Sequence, residues 1–197
     1  MATPDLEYRL TEALARPGRP STDYDLNKGV TGPEGRILRP AAVLIAVCPE
    51  TESVFLTQRS AALKHHPGQV AFPGGKQDPG DADAVACALR EAEEEIGLAP
   101  EGVQVLGCLP PHRTVTGFSV TPVLALIDSD EAPRPEAGEV AEVFEVPLAH
   151  LADPGNFRIE GRRWRGQRRR YYVVPYGPYY IWGATARMLR GLAEALA

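Results

Sequence analysis

The chain has 197 residues, 44% of them hydrophobic, enough to bury one full core with additions to a single domain. A net charge of −5 argues against bulk nucleic-acid binding, and no apolar run reaches membrane-spanning length, so neither nucleic acid nor membrane is an expected partner. Cys48, Cys87 and Cys108 are odd in number and form no C-x-x-C pair, which fits reduced thiols in a cytoplasmic protein rather than a zinc site, and the opening MATPDLEYRL lacks the apolar stretch of a secretory leader.

Pro4 to Leu14 has the pattern of a short amphipathic helix, and Arg16 to Arg36 is a Pro- and Gly-rich connection without a period of its own. Ala41 to Cys48 is predicted as a buried strand, followed after an acidic turn by Ser53 to Gln58, the two forming a hairpin. Gln69 to Phe72 is a short strand entering a glycine turn at Gly74 and Gly75. After the Pro79-Gly80 break, Asp81 or Asp83 offers an N-cap to a helix that runs without Pro or Gly to Ile96, where Gly97 stands as its C-cap. Val103 to Leu109, Ser119 to Ile127 and Val140 to Val146 read as strands, with an acidic loop from Asp128 to Glu139 and a helical turn from Pro147 to Leu151. Phe157 to Glu160 and Arg169 to Val174 flank an arginine-rich turn as a second hairpin. Tyr179 to Leu196 closes the chain as a helix, with Trp182, Ala186, Leu189 and Ala193 at helical spacing.

Strands on both sides of one long helix, with another helix at the end, predict an α/β sandwich with a mixed β-sheet. The strands do not alternate regularly with helices, which disfavours a doubly wound fold. Gly74-Gly75-Lys76 lacks both the G-x-x-x-x-G-K spacing and a following Ser or Thr, so it is not a P-loop.

The central helix carries the chemistry. At about 100° per residue, Val85, Leu89, Ala92 and Ile96 fall within about 60° of one another and form the expected core stripe. Glu91 and Glu95 are one turn apart with Glu94 between them, so three carboxylates share one adjoining face. Arg90 offsets part of the repulsion through its one-turn pairing with Glu94. A hard divalent cation would remove the rest, and a glycine segment ahead of a helix N-terminus suits a phosphate bound to such a metal. The plainer alternative is a solvated acidic face. Cys87, on the same helix, reads as a small packing residue.

Arg90-Glu91-Ala92-Glu93-Glu94-Glu95-Ile96-Gly97-Leu98 resembles the R-E-U-x-E-E-x-G-U half of the Nudix box, where U is apolar, and Gly75 matches its leading glycine. Upstream the sequence departs from the general pattern. Counted back from Arg90, the acidic position falls on Ala82 and the glycine on Lys76, so the loop is one residue longer and supplies Asp81 or Asp83 instead. Phe55-Leu56-Thr57-Gln58-Arg59-Ser60 and Leu63-Lys64-His65-His66-Pro67-Gly68-Gln69-Val70-Ala71-Phe72-Pro73-Gly74-Gly75 resemble the segment that precedes the box in a coenzyme A pyrophosphatase subgroup, with Phe55 for leucine and Lys64 for arginine. Trp182-Gly183-Ala184-Thr185-Ala186 is similar, more loosely, to that subgroup's C-terminal helix.

The resemblance implies a Nudix-type α/β/α sandwich over residues 39–197; before Ala41 it says little, and residues 1–38 are expected from their own pattern to form an N-terminal helix and linker extension packed on that core. It also implies Mg²⁺- or Mn²⁺-dependent hydrolysis of a small-molecule substrate, coenzyme A or a related nucleoside diphosphate derivative. Glu91, Glu95 and Glu94 are the expected metal ligands, with the Gly75 carbonyl completing the shell. Arg90 is expected to fix the helix geometry. The general base is either a box glutamate such as Glu94 or an acid from the later loop, where Glu136, Glu139 and Glu142 are candidates and Glu139 is preferred for its place at the loop-to-strand boundary. Arg59, Lys64, His65, His66 and Gln69 are candidate contacts for the phosphates, His65 and His66 being alternatively surface turn residues. The metal helix alone does not select a substrate, so ADP-ribose or dinucleotide hydrolysis, or non-catalytic RNA binding on the same fold, stand as alternatives. Arg162, Arg163, Arg165, Arg168, Arg169 and Arg170 read either as a phosphate or RNA contact or, preferably, as a charged hairpin that keeps an edge soluble. Tyr176, Tyr179, Tyr180 and Trp182 are expected to pack the last helix.

Overall fold

The computed structural model describes residues 4–16, 18–27, 35, 37–63, 66–128, 133–164 and 166–197. In chain order the elements are α1 (Pro4–Ala15), β1 (Ser21–Thr22), β2 (Arg39–Cys48), β3 (Ser53–Arg59), β4 (Val70–Ala71), β5 (Gly74–Lys76), α2 (Ala84–Ile96), β6 (Val103–Cys108), β7 (His112–Arg113), β8 (Phe118–Ile127), β9 (Val140–Pro147), α3 (Leu148–Ala152), β10 (Arg158–Trp164), β11 (Gln167–Val173) and α4 (Gly183–Leu196). β1 to β9 form one mixed sheet, and β10 and β11 a separate antiparallel ribbon. β2 lies at its centre, parallel to β8 from Arg39 opposite Phe118 to Val47 opposite Leu126, and antiparallel to β3 and β5.

Alternation along the strands sends two sets of apolar side chains to opposite faces. One face carries Ile45, Leu56 and Leu124 against Leu6 and Leu10 of α1 and Leu189 and Leu192 of α4. The other carries Ala42, Leu44, Ala46 and Val123 against Cys87, Ala88, Ala92 and Ile96 of α2. Small residues on both sides of this second interface let α2 lie close to β2. The layering is α/β/α, as expected.

Three details differ from the pattern read in the sequence. Gly74–Lys76 is a strand rather than a turn, with Gly75 opposite Ala42 and Gly74 opposite Val43. Gly74 has φ 152°, and a Cβ on it would collide with the Val43 backbone, so only glycine fits there. The buried stripe of α2 is Cys87, Ala88, Ala92, Glu95 and Ile96, with Val85 and Leu89 only partly buried. The helix is therefore turned by roughly 70° from the predicted face, counting 100° per residue. The small Cys87 and Ala88 side chains, not the bulkier Val85 and Leu89, permit the close approach to the sheet. The last helix begins at Gly183, because Tyr176 and Tyr179 pair with each other and Trp182 pairs with Val173 in extended backbone.

The segment read as a plain connection also contains β1, parallel to β7. The fully buried His112 ties the two together: Ser21 Oγ lies 2.9 Å from its Nδ1 and Asp23 Oδ1 lies 3.1 Å from its Nε2.

Candidate active site

α2 begins at Asp83, whose side chain accepts from the Ala86 N–H at 2.9 Å, and ends at Gly97, whose left-handed φ of 66° lets its N–H reach the last carbonyls. Asp83 is thus the cap, which leaves Asp81 for another task. Arg90 donates from Nε to Asp81 Oδ1 and from Nη2 to Asp81 Oδ2, each at 2.9 Å, a two-pronged pair that anchors the loop to the helix. The same guanidinium donates from Nη1 to Glu91 at 3.1 Å and Glu94 at 3.0 Å, and from Nη2 to the Lys76 carbonyl at 3.3 Å. Arg90 holds the Asp81 carboxyl down to about 2, well below its ordinary value. The expected Arg90–Glu94 pairing is present, but it is one spoke of a hub.

Turning α2 toward its small residues draws Glu95 inside. Only 4% of it is exposed, and burial pushes its carboxyl up to about 7 despite the Gly74 N–H that donates to Oε2 at 3.0 Å. Arg59 Nη1 lies 3.6 Å from the other oxygen. Burial also raises the Glu91 carboxyl, against the lowering effect of Arg90. A Cβ on Gly75 would overlap the Glu91 carboxylate, so β5 and α2 meet there with no side chain between them. Glu94 is exposed.

Four carboxylates, on Asp81, Glu91, Glu94 and Glu95, thus face two guanidiniums, on Arg59 and Arg90. The donors are all oxygen and the local charge is negative, a set that fits a hard divalent cation. Among the described residues no three His, Cys, Asp or Glu converge as a preassembled ligand cluster. Arg90 stands between Glu91 and Glu94, while Glu95 is engaged by Gly74 and Arg59. Loading a cation would require these side chains to turn from their protein partners toward it.

The other candidate residues divide. Arg59 is brought to the site at the end of β3, and Gln69 lies beside it in the backbone, where the Arg59 N–H donates to the Gln69 carbonyl at 3.0 Å and the Gly68 N–H to the Arg59 carbonyl at 3.1 Å. His66 is an exposed turn residue at φ 54°. Lys64 and His65 lie outside the described residues. The Glu139 carbonyl accepts from the Ser60 N–H at 2.8 Å, and the Glu139 charge is felt at Glu95. Glu136 donates its N–H to the Glu95 carbonyl at 2.9 Å. Glu142 is engaged elsewhere, accepting the Tyr179 hydroxyl at 2.7 Å.

Cys87 is fully buried, its thiol pushed up to about 11 by burial, with Asp81 and Glu91 adding to the shift, surroundings that disfavour a thiolate and fit a packing role. The arginine run forms the β10–β11 ribbon, Arg162 opposite Arg169 and Arg163 opposite Arg168. Arg162 lies 4.5 Å over the Trp182 ring, and Arg169 5.7 Å from the Tyr24 ring. Arg165 lies outside the described residues. Tyr179 stacks on Phe144 of β9 at 3.5 Å, so this aromatic group packs on the sheet as well as beside α4.

The sandwich and the carboxylate helix held against a glycine strand define a scaffold for phosphoanhydride chemistry. The NUDIX domain family model matches residues 38–165, and the chain belongs to the Nudix hydrolase family. It is 46% identical over 156 residues to the uncharacterized Nudix hydrolase NudL of Cronobacter sakazakii (strain ATCC BAA-894), covering 79% of this chain and 81% of that one. The figures for NudL of Escherichia coli (strain K12) are the same. Among solved structures, a Nudix hydrolase from M. smegmatis, RenU, is similar with a TM-score of 0.48 and 25% identity, over 62% of this chain and 88% of that one. Nudix hydrolases act on pyrophosphate bonds of small molecules and generally use divalent cations, and hydrolysis of such bonds is the class of activity that family membership gives this chain. No helix among the described residues is long and apolar enough to cross a membrane.

Proposed function

We propose that the protein hydrolyses the pyrophosphate bond of coenzyme A, releasing 4′-phosphopantetheine and adenosine 3′,5′-bisphosphate. One observation carries this reading: the segment resembling the coenzyme A pyrophosphatases is tied to the carboxylate helix at two points. Arg59 Nη1 lies 3.6 Å from Glu95, and the Gly74 N–H donates to the same carboxylate.

Glu91, Glu94 and Glu95, with the Gly75 carbonyl, would hold Mg²⁺ or Mn²⁺. When bound, the cation offsets the charge of the pyrophosphate and acidifies a water. Arg90 keeps α2 and the Asp81 loop in register, so the glutamates are presented from a fixed backbone. Arg59, Lys64, His65, His66 and Gln69 are the proposed phosphate contacts, including one for a 3′-phosphate, on the resemblance of that segment. Glu139 is the preferred base. It is exposed, it belongs to the loop docked on the end of α2, and its charge reaches Glu95, which fits a carboxylate that takes a proton from the attacking water.

The test is a product-resolved hydrolysis screen of coenzyme A, dephospho-coenzyme A and ADP-ribose under identical conditions, with Mg²⁺ and with Mn²⁺. Coenzyme A should be the best substrate, with dephospho-coenzyme A poorer because a charge-assisted phosphate contact worth about 1.5–3 kcal/mol is missing. A strong preference for ADP-ribose would replace this assignment with the ADP-ribose activity.

A further inference from the structure

On the face of the sheet opposite α2, a cavity of about 310 Å³ opens between α1, α4 and the strand ends. Its volume lies within the range of small-molecule sites, and its walls combine charged groups with an apolar side made of Leu14 from α1, Leu109 just past β6, Pro122 of β8 and Met188 of α4. Three cations stand at its mouth. Arg16 already donates to the Ala195 carbonyl at 2.7 Å, and Arg187 to Asp25 at 2.8 Å. Arg19 is exposed and has no hydrogen bond or ion pair among the described residues. The carboxylate at the rim, Glu194, is taken by Arg190 at 2.9 Å, so Arg19 is the uncommitted charge.

Two features mark the space as built rather than left over. Gly191 sits inside α4, where glycine weakens a helix relative to alanine, and a Cβ on it would meet only Arg187 Nη1 at 3.9 Å. The helix thus forgoes a side chain that would project into the cavity. The wall at Ser21 is stiffened by the buried chain through His112 to Asp23, whose second oxygen accepts from the Val115 N–H at 2.7 Å.

We propose that this cavity is a second small-molecule site, separate from the carboxylate helix, for an amphipathic monoanion. Its apolar body would lie among Leu14, Leu109 and Met188, and its charged end would meet Arg19. An uncharged or cationic analogue of equal length forfeits the Arg19 contact, which makes charge the discriminating variable.

Octanoate, octanol and octylamine titrated onto the full chain by calorimetry test the assignment. Octanoate should bind saturably at one site, with octanol weaker and octylamine undetected. Gly191→Leu, which fills the cavity and favours the helix, should weaken octanoate at least ten-fold without lowering the melting temperature. Should that variant melt early, Met188→Trp supplies an independent plug with the same expected loss. Arg19→Glu should weaken octanoate to a similar degree and leave octanol unchanged. Absence of saturable octanoate binding, or equal affinity in folded plugged variants, removes the site. Octylamine binding as tightly as octanoate overturns the anionic assignment.

Discussion

Replacing Gly75 with alanine adds one methyl group where β5 meets the carboxylate helix. An ideal Cβ there lies 2.5 Å from Glu91 Cδ, whereas ordinary contact begins at 3.4 Å, so the Glu91 carboxyl must retreat by about 0.9 Å. Gly75 is not among the glycines with left-handed φ, so alanine meets no backbone penalty and gains about 0.4–1 kcal/mol by restricting the unfolded chain. Against this stands the bond from Arg90 to Glu91 at 3.1 Å, between side chains 28% and 17% exposed. Solvent screening brings the value of that pair to about 1 kcal/mol. The two terms nearly cancel, and melting should shift by only a few degrees, at about 2–4 °C per kcal/mol for a chain of this size. Turnover should not be spared, because a misplacement of about 1 Å costs on the order of 10²-fold in rate. The assay is kcat for pyrophosphate hydrolysis beside a thermal melt, with Gly80→Ala as the control, since a Cβ on Gly80 meets nothing within 4 Å. Turnover near that of the unmodified protein in Gly75→Ala, or an equal loss in Gly80→Ala, refutes the placement of Glu91 at the reacting centre.

Glu91→Gln and Glu95→Gln should each lower kcat by orders of magnitude with far-UV circular dichroism unchanged, and unaltered turnover in both would move the metal site elsewhere. The Asp81 carboxyl is depressed from 3.8 to about 2 in the folded protein, so its contribution to stability is full above its unfolded value and is lost as pH falls through about 2; Asp81→Asn should flatten that part of an acid-unfolding curve. Cys87→Ala should leave turnover nearly intact, and Cys87, with its thiol raised to about 11, should resist alkylation at pH 8 until the protein unfolds, as read by mass spectrometry of the labelled peptides.

Much of the layering was legible because it rests on local signals. The apolar run from Ala41 to Cys48 became the central strand, and the uninterrupted helix became α2 with Gly97 as its cap. Arg90, Glu91, Glu94 and Glu95 were legible as a group because a helix converts sequence spacing directly into shared faces. What escaped depends on partners distant in sequence. Nothing in Gly74-Gly75-Lys76 announces a strand until Ala41 to Val43 lies beside it. The rotation of α2 follows from the small residues of β2, and with it the burial of Glu95. Asp81 and Asp83 were interchangeable in the sequence, and only the reach of Arg90 separates anchor from cap. Ser21, His112 and Asp23 meet across about ninety residues of chain and carry no local signal at all.

β5 borrows its backbone partners from β2, the strand that also holds β3 and β8. The Gly74 N–H that meets Glu95 and the Gly75 backbone that abuts Glu91 are therefore held on the central strand of the sheet, not on a lid that frays by itself. In a denaturant titration, loss of turnover should track loss of tertiary fluorescence with a single midpoint. Amide protons of the Ala41–Val43 and Gly74–Lys76 pairing should exchange only through global opening. Tolerance to heat and tolerance of catalysis to heat become one property in this chain, so substitutions that stabilise the central strand should extend the working temperature of the enzyme as well.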